Sequence, residues 1–272
     1  MFPTFEFLGR TISIYGICTV IGLILACIVA TSLAKKKDYK FEDVLLVLLS
    51  VGVGLFIGAH ILFGITRISG IVQLFKDMED YTFITFNAAL FGKYIGGMVF
   101  YGGFLGGLAG LAIHCRFSKY VTFKGMIDIY AVCIPLFHVF GRIGCFFAGC
   151  CYGIEWSWGF ITYTNTINPS VNGVVRFPVQ LFEALCNVII FLILLILYKK
   201  DKLENRLIFL YMILYPICRF ILEFFRGDEI RGFIFGISTS QFISILLFAA
   251  ATAGFIITGV KRKKAAAKEL PL

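Results

Sequence analysis

Charge is what this sequence has least of: Asp, Glu, Lys and Arg together make 15% of its 272 residues, while 59% are hydrophobic. A soluble globular domain carries roughly a quarter of its residues as charges, so this composition, with a mean hydropathy of +0.90, excludes water as the solvent. Histidine is scarce too. His60, His114 and His138 are scattered singly, and three scattered imidazoles define no metal site. There is no internal repeat and no low-complexity segment apart from an Ala/Lys tail at 261–268, which reads as a solvated end. The first ten residues, MFPTFEFLGR, lack a basic n-region, and the apolar run behind them is too long for a cleaved signal. The first span is therefore expected to be retained.

Apolar stretches fill the rest. They run over 11–34, 43–65, 95–114, 125–148, 181–198, 207–225 and 238–260, each long enough to cross roughly 30 Å of hydrocarbon as a helix. The fold class expected is an all-α membrane protein of about seven transmembrane helices, one polytopic domain over 1–272. Most of the 25 Lys and Arg fall in clusters at 35–40, 116–124, 199–206 and 261–268, after spans one, three, five and seven. By the positive-inside rule that face is cytoplasmic, the N-terminus lies outside and the C-terminus inside. The net charge of +9 sits in short juxtamembrane clusters, so anionic lipid head groups are its expected neighbours and nucleic acid is not. The outer connections, at about 66–94, 149–180 and 227–237, are longer than a bundle needs, which places the work on the outer side.

An ionisable side chain deep in a bilayer costs at least ~2.5 kcal/mol, so each is a functional candidate. Arg142 lies in HVFGRIGCFFAGCCYG, where Gly141, Gly144, Gly149 and Gly153 thin the backbone. A planar, always-charged fork suits a phosphate there; an interfacial arginine reaching for water is the plainer reading. Arg219 and Glu223 share one helix face in YPICRFILEFFRGDE, with Arg226 a turn further on. They make either a self-neutralising pair or a second phosphate-facing arginine held by Glu223. In FPVQLFEA, Gln180 and Glu183 stand three apart behind Pro178, placed for a shared polar pocket or for simple capping. Tyr15-Gly16 and Tyr101-Gly102-Gly103 carry tyrosines that belong as readily to an aromatic belt. Gly102, Gly106 and Gly110 recur at intervals of four, as close helix packing requires.

Of nine cysteines, only Cys145, Cys150 and Cys151 cluster. With His138 they offer four zinc ligands in principle, but the CxxxxCC spacing is not a familiar ligand pattern, so neither metal nor cofactor is assigned. A disulfide is compatible with the outer side, although vicinal Cys150 and Cys151 are poorly placed to bridge each other.

Taken together and in order, these motifs resemble the prolipoprotein diacylglyceryl transferase family, seven-span bacterial enzymes that alkylate the lipobox cysteine of lipoprotein precursors. Tyr15-Gly16 resembles the family's early Tyr-Gly, and YGGFLGG at 101–107 its His-Gly-Gly-Leu segment. GRIGCFFAGCCYG at 141–153 is similar to its Gly-Arg-x-Gly-Asn-Phe-x-Asn-x-Glu signature, FPVQLFE to its His-Pro-x-Gln-Leu-Tyr-Glu, and RFILEFFR to its late Arg-Phe block. The resemblance implies a bacterial inner-membrane enzyme in which Arg142 and Arg219 hold the phosphate of phosphatidylglycerol. A prolipoprotein thiolate attacks the glyceryl carbon and glycerol phosphate leaves. It further implies that Glu223 orients Arg219, and that Tyr15, Gly102, Gly103, Gly141, Gly144, Cys145, Gly153, Gln180, Glu183 and Arg226 shape the substrate pocket. The chain departs from the pattern at Tyr101, where the family has His, at Phe177, its other motif His, and at Cys145, Ala148 and Cys150, in place of Asn, Asn and Glu. Tyr101 then stands where a proton acceptor would be, although a phenol of pKa near 10 is a poorer base than imidazole.

Two alternatives stay open. One keeps the lipid donor and passes the group to another acceptor, or to one of the three clustered cysteines as a covalent nucleophile. The other is a lipid-binding membrane protein without turnover, a reading weakened by the lack of paired inverted repeats or broken helices.

Overall fold

The N-terminal residues, mostly exposed, fold back on themselves around Leu8-Gly9 before the first helix. In the computed structural model, which describes residues 1–158, 161–228, 233–234 and 236–269, β1 (Thr4–Phe7) pairs antiparallel with β2 (Arg10–Ser13), Phe7 opposite Arg10. Both turn residues have positive φ, 51° at Leu8 and 72° at Gly9, the twist a two-residue hairpin demands. Thr11, Ile12 and Ser13 are thereby claimed by strand pairing, so the first helix begins at residue 14 rather than 11.

The helices follow: α1 (Ile14–Ala34), α2 (Phe41–Ile65), α3 (Ile68–Lys76), α4 (Phe83–Ala89), α5 (Phe100–Phe117) and α6 (Phe123–Ala148). A short hairpin of β3 (Ile161–Thr162) and β4 (Val175–Arg176) precedes α7 (Val179–Lys199) and α8 (Leu207–Glu223). A second, β5 (Phe233–Ile234) and β6 (Ile237–Ser238), precedes α9 (Thr239–Glu269). Among the described residues, five stretches are long and apolar enough to cross a membrane: Ile14–Lys37, Phe41–Ile65, Phe123–Ala148, Val179–Lys199 and Thr239–Arg262. The pair Phe83–Ile95 and Phe100–Phe117, bent by 93°, makes up to a sixth. α8 has 17 residues, about 25 Å of helix. Leu23, Ile24 and Ile28 on α1 and Leu46, Leu49, Phe56 and Ile57 on α2 are exposed, as side chains facing lipid would be. This is an all-α membrane protein. The expected connection 66–94 carries α3, α4 and a π-turn over Leu90–Ile95, and α5 starts at Phe100 instead of 95. Within the other expected connections, 159–160, 229–232 and 235 lie outside the described residues.

The chain divides into two compact units, Met1–Ala30 with Ile127–Leu272, and Thr31–Met126. In the second, α2 and α5 pack through glycine. A Cβ added at Gly58 would come within 2.8 Å of Gly106 Cα, and one at Gly102 within 2.6 Å of Leu62 Cβ, so the two backbones approach as small-residue faces allow. His60 Nδ1 donates to the Ile95 carbonyl at 2.8 Å, and His114 Nδ1 lies 2.8 Å from Ser50 Oγ. In the first unit, Asp128 of α6 accepts from the Leu207 amide at 3.1 Å and from the Asn205 amide. A carboxylate thus sits on the N-terminus of α8, where the helix dipole favours it. Arg206 donates to the Phe255 carbonyl at 2.7 Å and covers the Phe255 ring, tying α8 to α9.

Candidate active site

Four sequence features converge within the first unit. Pro178, with no amide hydrogen to lose, opens α7, so Gln180 and Glu183 fall in its first turns and both are 1% exposed. α6 delivers Arg142 and α8 delivers Arg219; the chain just beyond α8 delivers Arg226. All three guanidiniums point at Glu183. Arg142 Nη2 donates to Oε1 at 2.8 Å, while Arg219 Nη1 and Arg226 Nη1 lie 3.6 and 3.9 Å from Oε2. Tyr215 donates its hydroxyl to Oε1 at 3.1 Å, and His138 Nε2 stands 3.8 Å from it. One carboxylate thereby holds three cations that would otherwise repel one another in a low dielectric.

Each arginine has a second anchor or a spare donor. Arg219 Nη2 lies 2.7 Å from Glu223 Oε2, across one helical turn, and donates to Ser240 Oγ at 3.1 Å. Arg226 grips Asp228 with two parallel bonds, Nε to Oδ1 at 3.1 Å and Nη2 to Oδ2 at 2.9 Å, the geometry a guanidinium fork prefers. Arg142 Nε and Arg219 Nη1 are buried with no hydrogen-bond acceptor among the described residues. A buried donor left unmade costs about 1–3 kcal/mol, more for a charged one, and an anion accepting from both would remove that cost.

The backbone around it is clamped. Tyr152 to Trp156 run between two neighbours: Ile154 N donates to the Phe225 carbonyl, Gly227 N to the Tyr152 carbonyl and Phe177 N to the Ile154 carbonyl, each at 3.0 Å. Gly153 sits where these three strands close, and a Cβ there would meet the Phe177 and Phe225 carbonyls. Arg176 secures the same segment, donating to the Gly153 carbonyl at 3.1 Å and lying over the Tyr152 ring. Gln180 is fully engaged. Its Nε2 donates to the Cys150 carbonyl at 2.7 Å and its Oε1 accepts from Tyr163 at 2.8 Å. Burial pushes the Tyr163 phenol up to about 12, so it remains a donor across the physiological range.

Sequence-expected residues fall into three groups. Arg142, Glu183, Arg219, Glu223 and Arg226 form the charged cluster. Gly144 lies against Tyr15 and Cys18, with a Cβ there only 3.0 Å from Tyr15 Cδ2, while Gly141 opens onto empty space; Gly153, Gln180 and Cys145 sit in or beside the clamped backbone. Tyr101, Gly102 and Gly103 belong to the other unit, buried at the start of α5. Sequence reasoning missed His138, Tyr215, Arg176, Tyr163 and Ser240. Two carried a readable signal: His138 precedes Arg142, and Tyr215 precedes Arg219, by four residues on the same helix face.

Fold and site define a helical membrane protein whose interior gathers three arginines around one carboxylate. Residues 3–257 match the family described as prolipoprotein diacylglyceryl transferase. A protein of Clostridium tetani named phosphatidylglycerol–prolipoprotein diacylglyceryl transferase is 31% identical over 246 residues, covering 89% of this chain and 91% of that relative. One of the same name from Campylobacter hominis is 33% identical over 261 residues, 93% of this chain and 88% of the relative. The numbered second transferase of Clostridium perfringens is 30% identical over 265 residues, 95% and 96% of the two chains. The chain belongs to the prolipoprotein diacylglyceryl transferase family.

Proposed function

We propose that the protein transfers the diacylglyceryl group of phosphatidylglycerol to prolipoproteins, the reaction its relatives are named for, with the lipobox cysteine thiol as the acceptor. The thiolate attacks the glyceryl carbon. A C–S bond forms, the C–O bond to phosphorus breaks, and glycerol phosphate leaves with the electron pair. The acceptor's proton is lost as the thiolate forms, and one further negative charge builds on the leaving phosphate.

The observation that carries this reading is the pair of buried, acceptorless donors on Arg142 and Arg219. Donors fixed where charge develops need no reorganisation at the moment of reaction, which is why such groups dominate catalysis of charge-separating steps. In this reading Arg142 and Arg219 take the phosphate, Glu223 and Glu183 position them, and Arg226 steadies the far side of Glu183. Gly141 leaves room for the head group, Tyr15 packed on Gly144 and the close backbone approach at Gly153 shape its wall, and Gln180 and Cys145 frame it. For Tyr101, Gly102 and Gly103, which belong to the other unit, the family resemblance alone proposes a part, Tyr101 as proton acceptor. We place the protein in the bacterial cytoplasmic membrane with seven spans, α8 included, N-terminus outside and C-terminus inside, so that lipid donor and lipobox segment meet near the outer leaflet.

The test is an assay of the purified protein with phosphatidylglycerol and a lipobox-cysteine peptide, reading peptide mass gain and glycerol phosphate release together. Both are expected to rise in step. A folded sample that binds lipid and yields neither product overturns the reading.

A further inference from the structure

The chain gathers three thiols beside the arginines. α6 ends in a Schellman motif: Gly149, at φ 70°, donates to the Phe146 carbonyl at 3.1 Å, and Cys150 N reaches back to the Cys145 carbonyl at 3.2 Å. That reversal lays Cys150 over Cys145, and a left-handed Cys151, φ 55°, brings the next side chain round to the same side. The three Sγ atoms all lie within 4.8 Å of one another, and among the described residues no cysteine is in a disulfide. A tetrahedral ion with metal–sulfur bonds of about 2.3 Å needs sulfurs about 3.8 Å apart, a small inward adjustment. Support comes from outside the triad: Gln180 fixes the Cys150 carbonyl, Tyr163 fixes Gln180, and the Ile167 amide holds the Ala148 carbonyl at 3.2 Å, as outer partners do at metal sites.

We propose that Cys145, Cys150 and Cys151 form a three-thiolate site for a soft divalent cation of the zinc class, whose open fourth position takes the thiol of the acceptor peptide. Thiolate sulfur selects such ions. Binding the ion releases the three S–H protons to solvent, three thiolates around a dication leave one negative charge, and Arg142, one helical turn before Cys145 on α6, offsets it. Three protein ligands and an open position mark catalytic rather than structural zinc. A thiol entering that position is deprotonated outright: the S–H proton leaves to solvent, a metal–sulfur bond forms, and no oxidant or reductant is involved. The metal-held thiolate would then be the nucleophile of the transfer, easing the demand on the Tyr101 phenol. This last step rests on the proposed function; the metal site does not.

The protein, purified in detergent and exchanged with Co(II), is expected to show the near-ultraviolet sulfur-to-cobalt charge-transfer band, at about one ion per chain, and the Cys145→Ser/Cys150→Ser/Cys151→Ser variant to lose it. Adding a cysteine peptide, without any phosphatidylglycerol, is expected to intensify the band by about one third as a fourth sulfur joins three, while the serine peptide leaves it unchanged. Because serine could disturb the α6 turn, Cys151→Ser alone, with gel-filtration behaviour matching wild type, must also weaken the band. Folded wild-type protein that binds no cobalt, a Cys145–Cys150 or Cys145–Cys151 disulfide found by mass before any reductant is added, or a band indifferent to the cysteine peptide each overturns the proposal. Diacylglyceryl transfer by metal-free protein overturns it while leaving the proposed function intact, and cobalt and peptide binding without transfer does the reverse.

Discussion

The two halves of this molecule solve the problem of helix association in opposite ways. Between α2 and α5 the contact is mostly bare backbone: Gly54 and Gly58 face Gly102, Gly106 and Gly110, with the Ser50–His114 hydrogen bond toward one end. Around Glu183 the helices are joined by charge, with arginines from α6, α8 and the segment after α8 drawn to one carboxylate on α7. In lipid there is no hydrophobic gain in bringing helices together, so one pair gains dispersion by closeness and the other group gains electrostatics in a low dielectric. Of the two, the charged arrangement is the one that leaves arginine donors without an acceptor among the described residues.

Removing Glu183's charge should be the most damaging single change. Glu183→Gln keeps the shape but strands Arg142 and leaves Arg219 and Arg226 with Glu223 and Asp228 alone, a loss of about 3–5 kcal/mol for a broken buried pair. Thermal unfolding in detergent should show a large drop, together with complete loss of transfer. A variant that keeps its unfolding temperature would mean the arginines are paired elsewhere, and the contrast between the two regions would fail.

Arg142→Ala and Arg219→Ala should separate chemistry from stability. Each leaves Glu183 with two arginines, so folding should survive. Transfer should fall by roughly 100- to 1,000-fold, the effect of deleting one preorganised donor. Single-turnover rates with lipobox peptide measure this; full activity in either variant would refute the phosphate role. At the glycine interface the pattern should invert. Gly106→Ala places a methyl against the Gly54 carbonyl and Gly58 Cα, forcing the helices apart at about 1–3 kcal/mol. The rate per folded molecule is expected to hold while the unfolding temperature drops, and the reverse outcome would tie this interface to catalysis.

Much of this was legible in the sequence, and the rest was hidden for definable reasons. Hydrophobic runs reveal helices because length and apolarity are linear properties; hence α2, α6 and α7 fall close to their expected limits. Hydropathy is blind to direction, so it extended the first helix into Thr11–Ser13, which the Leu8-Gly9 turn had committed to a hairpin. It also ran through the 93° bend before α5. Within the site, spacing revealed Arg219 with Glu223 because four residues is one helical turn. It could not reveal that Glu183, rather than Glu223, is the hub, since that depends on which faces of α6, α7 and α8 meet. The thiol cluster was visible as three nearby cysteines, yet its closure depends on a single left-handed glycine at 149.

The smallest effect tests the scaffold that joins the charged region to the thiol loop. Tyr163→Phe removes the hydroxyl that Gln180 Oε1 accepts at 2.8 Å, about 1 kcal/mol at neutral pH, and Gln180 keeps its hold on Cys150. Its signature lies in pH. The folded phenol is raised from 10 to about 12, chiefly by burial, so its contribution is fully present below pH 10. Between about pH 10 and 12 the unfolded chain releases this proton and the folded chain does not, and stability drains away as pH rises. Subtracting the unfolding profile of Tyr163→Phe from that of wild type cancels the other lysines and tyrosines. The difference should be flat below pH 10 and should shrink above it, then reverse sign as the burial cost of the phenolate takes over. A flat difference throughout would mean that Tyr163 is open to water, and that the backbone beneath the three thiols is less firmly held than the charge cluster it adjoins.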